Sequence, residues 1–269
     1  MTEAQSALDA PDFERRFGGL RRLYGAQGAQ RVADAHVIVV GVGGVGSWAA
    51  EALARSGVGR LTLIDLDHIA ESNTNRQIHA LDGAYGQAKV EAMRARIAAI
   101  HPGCRVLAID DFVTPDNWPA LLAQAQAVQG HAGALAVVDA CDNMAAKVAL
   151  AAWARTQTAL FITAGAAGGK RHGERVEIAD LADATHDPLL AQLRQRLRKA
   201  HGAPRAGRLG VTAVFSREPV SAPLAGCDAS GAGDGSLNCH GYGSSVAVTA
   251  TFGMCAAGWV MDALARTAR

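Results

Sequence analysis

The chain has 269 residues, 49% of them hydrophobic and 19% charged, which excludes a disordered or acidic low-complexity protein and allows a packed core in one large or two small domains. Its 26 Lys and Arg against 25 Asp and Glu leave a net charge of +1, excluding a globally basic nucleic-acid coat though not a local basic face. Thirty glycines and few aromatics (5%) suit an α/β protein with many tight turns better than an aromatic-rich β-sandwich.

In chain order, the opening MTEAQSALDAPDFERRF lacks the basic-then-apolar pattern of a secretory signal, and a helix is expected over 18–34. Residues 36–40 form a continuous apolar run, as in a parallel strand covered on both faces. A glycine turn, a helix over 45–56 and a strand over 61–65 follow. Residues 88–100 have helical spacing, with Lys89, Met93 and Ile97 one turn apart and Pro102 just beyond. Further strands are expected over 105–109, 135–140 and 160–163. This alternation predicts an open, doubly wound, mostly parallel sheet of Rossmann type. Beyond Gly169 come a strand over 175–179, a charged helix over 188–200 and a strand over 211–215. A Gly/Ser-rich crossover stretch, 219–243, precedes a C-terminal apolar helix. The expected division is an N-terminal helical arm (1–35), a nucleotide-binding core (36–169) and an α/β extension (170–269), all in one integrated domain.

The C-terminal segment 244–265 is about long enough to span a bilayer, but Ser244, Ser245, Thr249, Thr251, several glycines and Asp262 dilute it. It reads as a buried helix or dimer contact, and the chain as a soluble cytoplasmic protein without a membrane partner. The five cysteines (Cys104, Cys141, Cys227, Cys239, Cys255) never form C-x-x-C, so neither a disulfide framework nor a structural zinc site is expected.

Residues 41–46, GVGGVG, form a G-x-G-x-x-G between a strand and a helix. Gly41 suits the tight turn, Gly43 a close approach of backbone to phosphate, and Gly46 close helix–strand packing. The helix start behind Gly44 presents free N–H groups to an anion. Asp65, ending the next strand, is placed to accept hydrogen bonds from a ribose. This pattern does not separate NAD from ATP. Around it cluster Asp67, Asn73, Asn75, Arg76, Gln77, Lys89 and Asp142, the last just beyond a strand end. A dinucleotide pyrophosphate does not need so many cationic and polar groups. A triphosphate whose outer groups must leave would use them, with an aspartate holding Mg²⁺.

GVGGVGSWAAEALARSGVGRLTLIDLD followed by NTNRQ resembles the adenylating superfamily of ThiF, MoeB and the ubiquitin-activating enzymes. RFGGLRRLYG, NTNRQIHAL, DDFVTPDN and VTATFG look, within it, like the tRNA threonylcarbamoyladenosine dehydratases, from about Arg16 to the C-terminus. The resemblance implies ATP-dependent cyclisation of N6-threonylcarbamoyladenosine beside the anticodon through an acyl-adenylate. It implies ATP and magnesium positions at Gly43, Asp65, Asn73, Arg76, Gln77, Lys89 and Asp142. It also implies that Arg22, ahead of LYG, enters the site of a homodimer partner, and that a cysteine desulfurase or sulfur acceptor is a further associate. ThiF and MoeB carry two C-x-x-C pairs that this chain lacks, which weakens adenylation of a sulfur-carrier tail. An NAD-dependent oxidoreductase is the more distant alternative.

A tRNA substrate calls for a basic footprint. Between 187 and 210 stand Arg194, Arg196, Arg198, Lys199, Arg205 and Arg208 against a single acid, with Lys170 and Arg171 as an extension. Cys227 and Cys239 in the crossover stretch leave a thiol role open. No general base is identifiable, and a monovalent cation site and the tRNA identity are left open.

Overall fold

The computed structural model describes residues 12–129, 133–221 and 242–266, so Cys227, Cys239 and most of the crossover stretch lie outside the described residues. Seven helices and seven strands are described. They run α1 (Phe13–Asp34), β1 (His36–Val40), α2 (Gly46–Arg55), β2 (Arg60–Ile64), α3 (Lys89–Ile100), β3 (Arg105–Ile109) and α4 (Trp118–Gln129). Then come β4 (Leu135–Asp139), α5 (Met144–Ala154), β5 (Leu160–Ala164), β6 (Val176–Asp180), α6 (Pro188–Ala200), β7 (Thr212–Ser216) and α7 (Val246–Arg266). They build one sheet of order β3-β2-β1-β4-β5-β7-β6, parallel except for β6, which runs antiparallel to β7 at one edge.

The expected doubly wound sheet is therefore present, and its central strand shows why the apolar run reads as it does. Every residue of β1 is buried. Val37 and Val39 face a core made with α2, α3 and α7, while Ile38 and Val40 face one made with α4, α5 and α6. The chain winds outward from β1 in one direction to β2 and β3, and in the other through β4 and β5. The carboxyl ends of β1 and β4 thus flank the switch point where such sheets bind ligands.

Three elements differ from expectation. Helices α4 and α5 were not anticipated: α5, MAAKVALAAWA, buries only the face of Ala146, Lys147, Leu150, Ala151 and Ala154, but its other face is apolar too, so the sequence carries no amphipathic stripe. Helix α1 begins earlier, at Phe13, because the Asp12 carboxylate caps it by accepting the Arg15 N–H at 3.1 Å; it is kinked at Gly25, where φ is +72°. The long C-terminal helix α7 packs on α2, α1 and the sheet and buries Val248, Phe252, Ala256, Val260 and Leu264. That side of the core accounts for part of its apolar composition, while Val246 and Met254 are exposed.

Candidate active site

The glycine loop is shaped by steric necessity. Gly41 has φ +84°, and a Cβ there would lie 2.8 Å from the backbone nitrogen of Cys141. A Cβ on Gly46 would fall 1.8 Å from the Gly41 carbonyl oxygen, so helix, loop and strand close up only without side chains. Gly43, by contrast, faces open space, with Nε2 of Gln77 the nearest atom at 3.9 Å. No described side chain caps α2, whose Ser47 N–H donates to the Gly43 carbonyl at 3.1 Å, and the positive end of the helix lies at the glycine loop. Asp65 holds the loop from below. Its buried carboxylate accepts the Val42 N–H at 2.5 Å and the Asp67 N–H at 2.8 Å. Burial pushes its pKa upward, opposed by the nearby Lys89 ammonium and by these two N–H donors.

The residues of NTNRQ converge on the same edge. Lys89, at the start of α3, is buried rather than a solvated surface lysine, and its ammonium pairs with Asp67 at 2.7 Å. Asn73 is buried and accepts the Ala70 N–H at 3.0 Å, closing the short 3-10 turn Glu71–Asn73. Arg76 donates through one terminal nitrogen to the Ser72 carbonyl and Asn75 Oδ1, at 2.7 and 2.9 Å. Its own carbonyl accepts the Trp48 indole N–H at 3.0 Å, tying the segment to α2. Nε of Arg76, Oε1 of Gln77 and Oγ of Ser47 are buried without a hydrogen-bond partner among the described residues. Leaving each such group unmade costs about 1–3 kcal/mol. Nε of Arg76 and the Ser47 hydroxyl, donors beside an uncapped helix start, fit an anionic ligand, whereas Oε1 of Gln77 only accepts and calls for a ligand hydroxyl or amine.

Asp142 stands half-buried between β4 and α5, next to the Cys141 backbone that packs against Gly41. The helix cap is its neighbour: Asn143 Oδ1 accepts the N–H groups of Ala145 and Ala146 at 2.9 and 3.1 Å, leaving the Asp142 carboxylate outside the capping bonds. Among the described residues no three His, Cys, Asp or Glu gather as a metal cage. One carboxylate completed by ligand phosphates is the ordinary provision for Mg²⁺ and fits Asp142.

The structure also brings in residues that sequence reasoning missed. Asp139 and Lys147 form a wholly buried ion pair under the Asp142 loop. His79 is buried with neither ring nitrogen partnered among the described residues, and burial, with Lys89 and Arg96 nearby, lowers its pKa to about 4. A single Lys in an otherwise apolar helix was the available signal for the pair, since a buried charge demands a partner. An open cleft of about 570 Å³ borders Gln77, with Trp48, Glu51, Leu81, Arg96 and Met254 on its walls.

Arg22 is exposed on α1 ahead of the Gly25 kink, and Leu23 beside it is 70% exposed. On α6 the leucines Leu189, Leu190, Leu193 and Leu197 are buried and the basic residues occupy the other face. Arg196, Lys199, Arg205 and Arg208 are exposed. Arg194 is turned back, donating to the carbonyls of Leu181 and Ala184 at 2.9 and 2.8 Å, and Arg198 donates to the Pro204 carbonyl at 3.1 Å. Lys170 does not extend this surface. It is buried, and its ammonium donates to the carbonyls of His186, Ser216 and Glu218.

Over residues 16–267 the sequence matches the ThiF family. The tRNA threonylcarbamoyladenosine dehydratase of Escherichia coli K12 is 45% identical over 259 residues, which cover 93% of this chain and 94% of that protein. The crystal structure of E. coli TcdA in complex with ATP has a TM-score of 0.82 at 42% identity, covering 95% of this chain and 96% of that one. The same enzyme in complex with AMP gives 0.79 at 42% identity, covering 95% and 98%. The chain belongs to the ThiF family, in its tRNA threonylcarbamoyladenosine dehydratase branch.

Proposed function

We propose that the protein closes N6-threonylcarbamoyladenosine in tRNA into a cyclic product with ATP, by way of an acyl-adenylate. The observation that carries this reading is the uncapped helix start beside two buried donors, Nε of Arg76 and the Ser47 hydroxyl, that have no partner among the described residues. Its near full-length relative carries the dehydratase name and is crystallised with ATP and with AMP.

Bound ATP supplies a leaving group that an unactivated carboxylate lacks, and Mg²⁺ offsets the phosphate charge. The chain's own residues hold and orient. The loop Gly41–Gly46 and the start of α2 receive the phosphates, with Gly43 and Gly44 at closest approach. Asp65, while bracing the loop, has acceptor capacity left for the ribose. Arg76 and Lys89 set positive charge at the phosphate side, Asp67 keeps Lys89 in place, Asn73 and Gln77 line the pocket, and Asp142 ligates Mg²⁺. The attacking carbamoyl group and the activated carbonyl belong to one substituent, so the effective concentration is built into the substrate.

The exposed Arg196, Lys199, Arg205 and Arg208, with Arg198 beside them, track the tRNA backbone. Arg22 acts in a homodimer, completing the partner's phosphate site. We place the protein in the cytoplasm with tRNA, and a cysteine desulfurase or sulfur acceptor as a further associate. The test is product analysis with ATP labelled at the α-phosphate. AMP and pyrophosphate should form only with threonylcarbamoyladenosine-containing tRNA. Stoichiometric ADP, or AMP formed only with a sulfur-carrier protein, would refute the reading, as would binding of NAD in preference to ATP.

A further inference from the structure

Beneath the Asp142 loop lies a set of buried polar side chains that the proposed chemistry does not use. Asp139, which ends β4, and Lys147, near the start of α5, are both fully buried, with the ammonium 3.0 Å from Oδ2 of Asp139. The same ammonium donates to the Cys141 carbonyl at 2.9 Å. From β5 the Thr163 hydroxyl donates to Asp139 Oδ2 at 2.7 Å. The Cys141 N–H and thiol both reach Asp139 Oδ1, at 3.3 and 3.0 Å.

A buried ion pair is weak as a source of stability, because well-packed apolar side chains of similar volume commonly do as well or better. What such a pair supplies is a fixed arrangement. Here the part fixed is residues 140–142, between the end of β4 and the capping Asn143. On its other side this loop lies against the glycine turn, where a Cβ on Gly41 would come within 2.9 Å of the Ala140 carbonyl oxygen. The loop is held by Lys147 on one side and by Gly41 on the other, and the acidic side chain it carries is Asp142.

We propose that Lys147 is a positioning residue: by holding the Cys141 carbonyl against Asp139, it fixes the backbone from which Asp142 reaches the divalent cation on bound nucleotide. The inference rests on Asp142 as the magnesium ligand and goes beyond it by assigning what aims that ligand. Groups that orient a metal ligand typically contribute 10–100-fold to metal affinity.

Lys147→Met alone leaves a buried, unpaired carboxylate, so the informative variant is Lys147→Met/Asp139→Leu, which removes both charges at similar volume. ATP binding is measured by calorimetry across a Mg²⁺ titration, and hydrogen exchange is followed over residues 140–146. The double variant should bind ATP without metal as the unsubstituted chain does. It should need roughly tenfold more Mg²⁺ for half of the metal-dependent gain, and exchange faster at 140–143. Thr163→Val, which keeps both charges and loses one bond to Asp139, should shift the Mg²⁺ midpoint the same way by roughly two- to fivefold, and it decides the matter if the double variant does not fold. An unchanged Mg²⁺ midpoint in a folded variant overturns the inference alone. An unsubstituted chain whose ATP affinity ignores Mg²⁺ overturns the role of Asp142, and the inference falls with it.

Discussion

The edge of the sheet between β1 and β4 and the outer face of α6 both present charge, and they hold it in different ways. At the edge each charged group is fixed by others: Asp65 by two backbone N–H groups, Lys89 by Asp67, and the Asp142 loop by Lys147. On α6 the charges that reach solvent, Arg196 and Lys199, stand on a helix anchored by its leucines, and those nearest the body of the protein, Arg194 and Arg198, bind carbonyls. A phosphate that must react needs donors fixed in advance, because reorganisation during the step is what catalysis avoids. A long polyanion needs only a field, which exposed side chains supply and salt screens. The two regions therefore predict different responses to substitution.

The largest difference is expected from Asp142→Ala. Turnover should fall by roughly 10²–10³-fold, while ATP still binds in the absence of metal, as equilibrium binding beside single-turnover kinetics will show. Full turnover would remove Asp142 from the site and with it the contrast between fixed and diffuse charge.

Next in size is the triple reversal Arg196→Glu/Lys199→Glu/Arg205→Glu. It should weaken tRNA binding at low salt by roughly 10–100-fold and flatten the dependence of log affinity on log salt, without altering ATP affinity. Filter binding at three salt concentrations measures both. An unaltered salt slope would place the tRNA on another face.

Stability should respond to pH through the buried histidines. Burial, with Arg60 nearby, lowers His36 from the ordinary imidazole value of 6.5 to about 4, and His79 behaves alike. Between these values the unfolded chain binds protons that the folded chain does not, so stability falls as pH drops from 6.5 toward 4. The loss is on the order of 3 kcal/mol for each histidine. Denaturant unfolding at several pH values should show this limb, and His79→Gln should flatten part of it. A limb unaltered by that substitution would mean that His79 is protonated in the fold.

The smallest effect sharpens the view of α6. Arg194→Ala should cost about 1–3 kcal/mol of stability by stranding two carbonyls, yet leave tRNA affinity within about twofold. A tRNA defect as large as that of the exposed arginines would show that Arg194 leaves its carbonyls when RNA binds.

What the sequence discloses follows the same division. Strands β1 and β3 and helix α6 stand at their expected bounds, because an unbroken apolar run and a leucine stripe between a capping Asp187 and Gly202 are local signals. The glycine loop, Asp65 and the NTNRQ segment were legible because their spacing is local too. Helix α5 was not, since its half-buried outer face is as apolar as its buried one and the sequence shows no periodicity. Nor was the Asp139–Lys147 pair, nor the inward turn of Lys170 and Arg194: each depends on a partner supplied by another part of the fold. Charge type is written in the sequence, whereas its exposure is decided by packing.

Mass analysis of tRNA nucleosides after incubation with the protein, ATP and Mg²⁺ reads the proposed dehydration directly. Threonylcarbamoyladenosine should lose the mass of one water, with one AMP formed for each nucleoside converted, and Asp142→Ala should convert it roughly 10²–10³-fold more slowly. A nucleoside of unchanged mass with active, folded protein, or dehydration without AMP, would contradict the assignment.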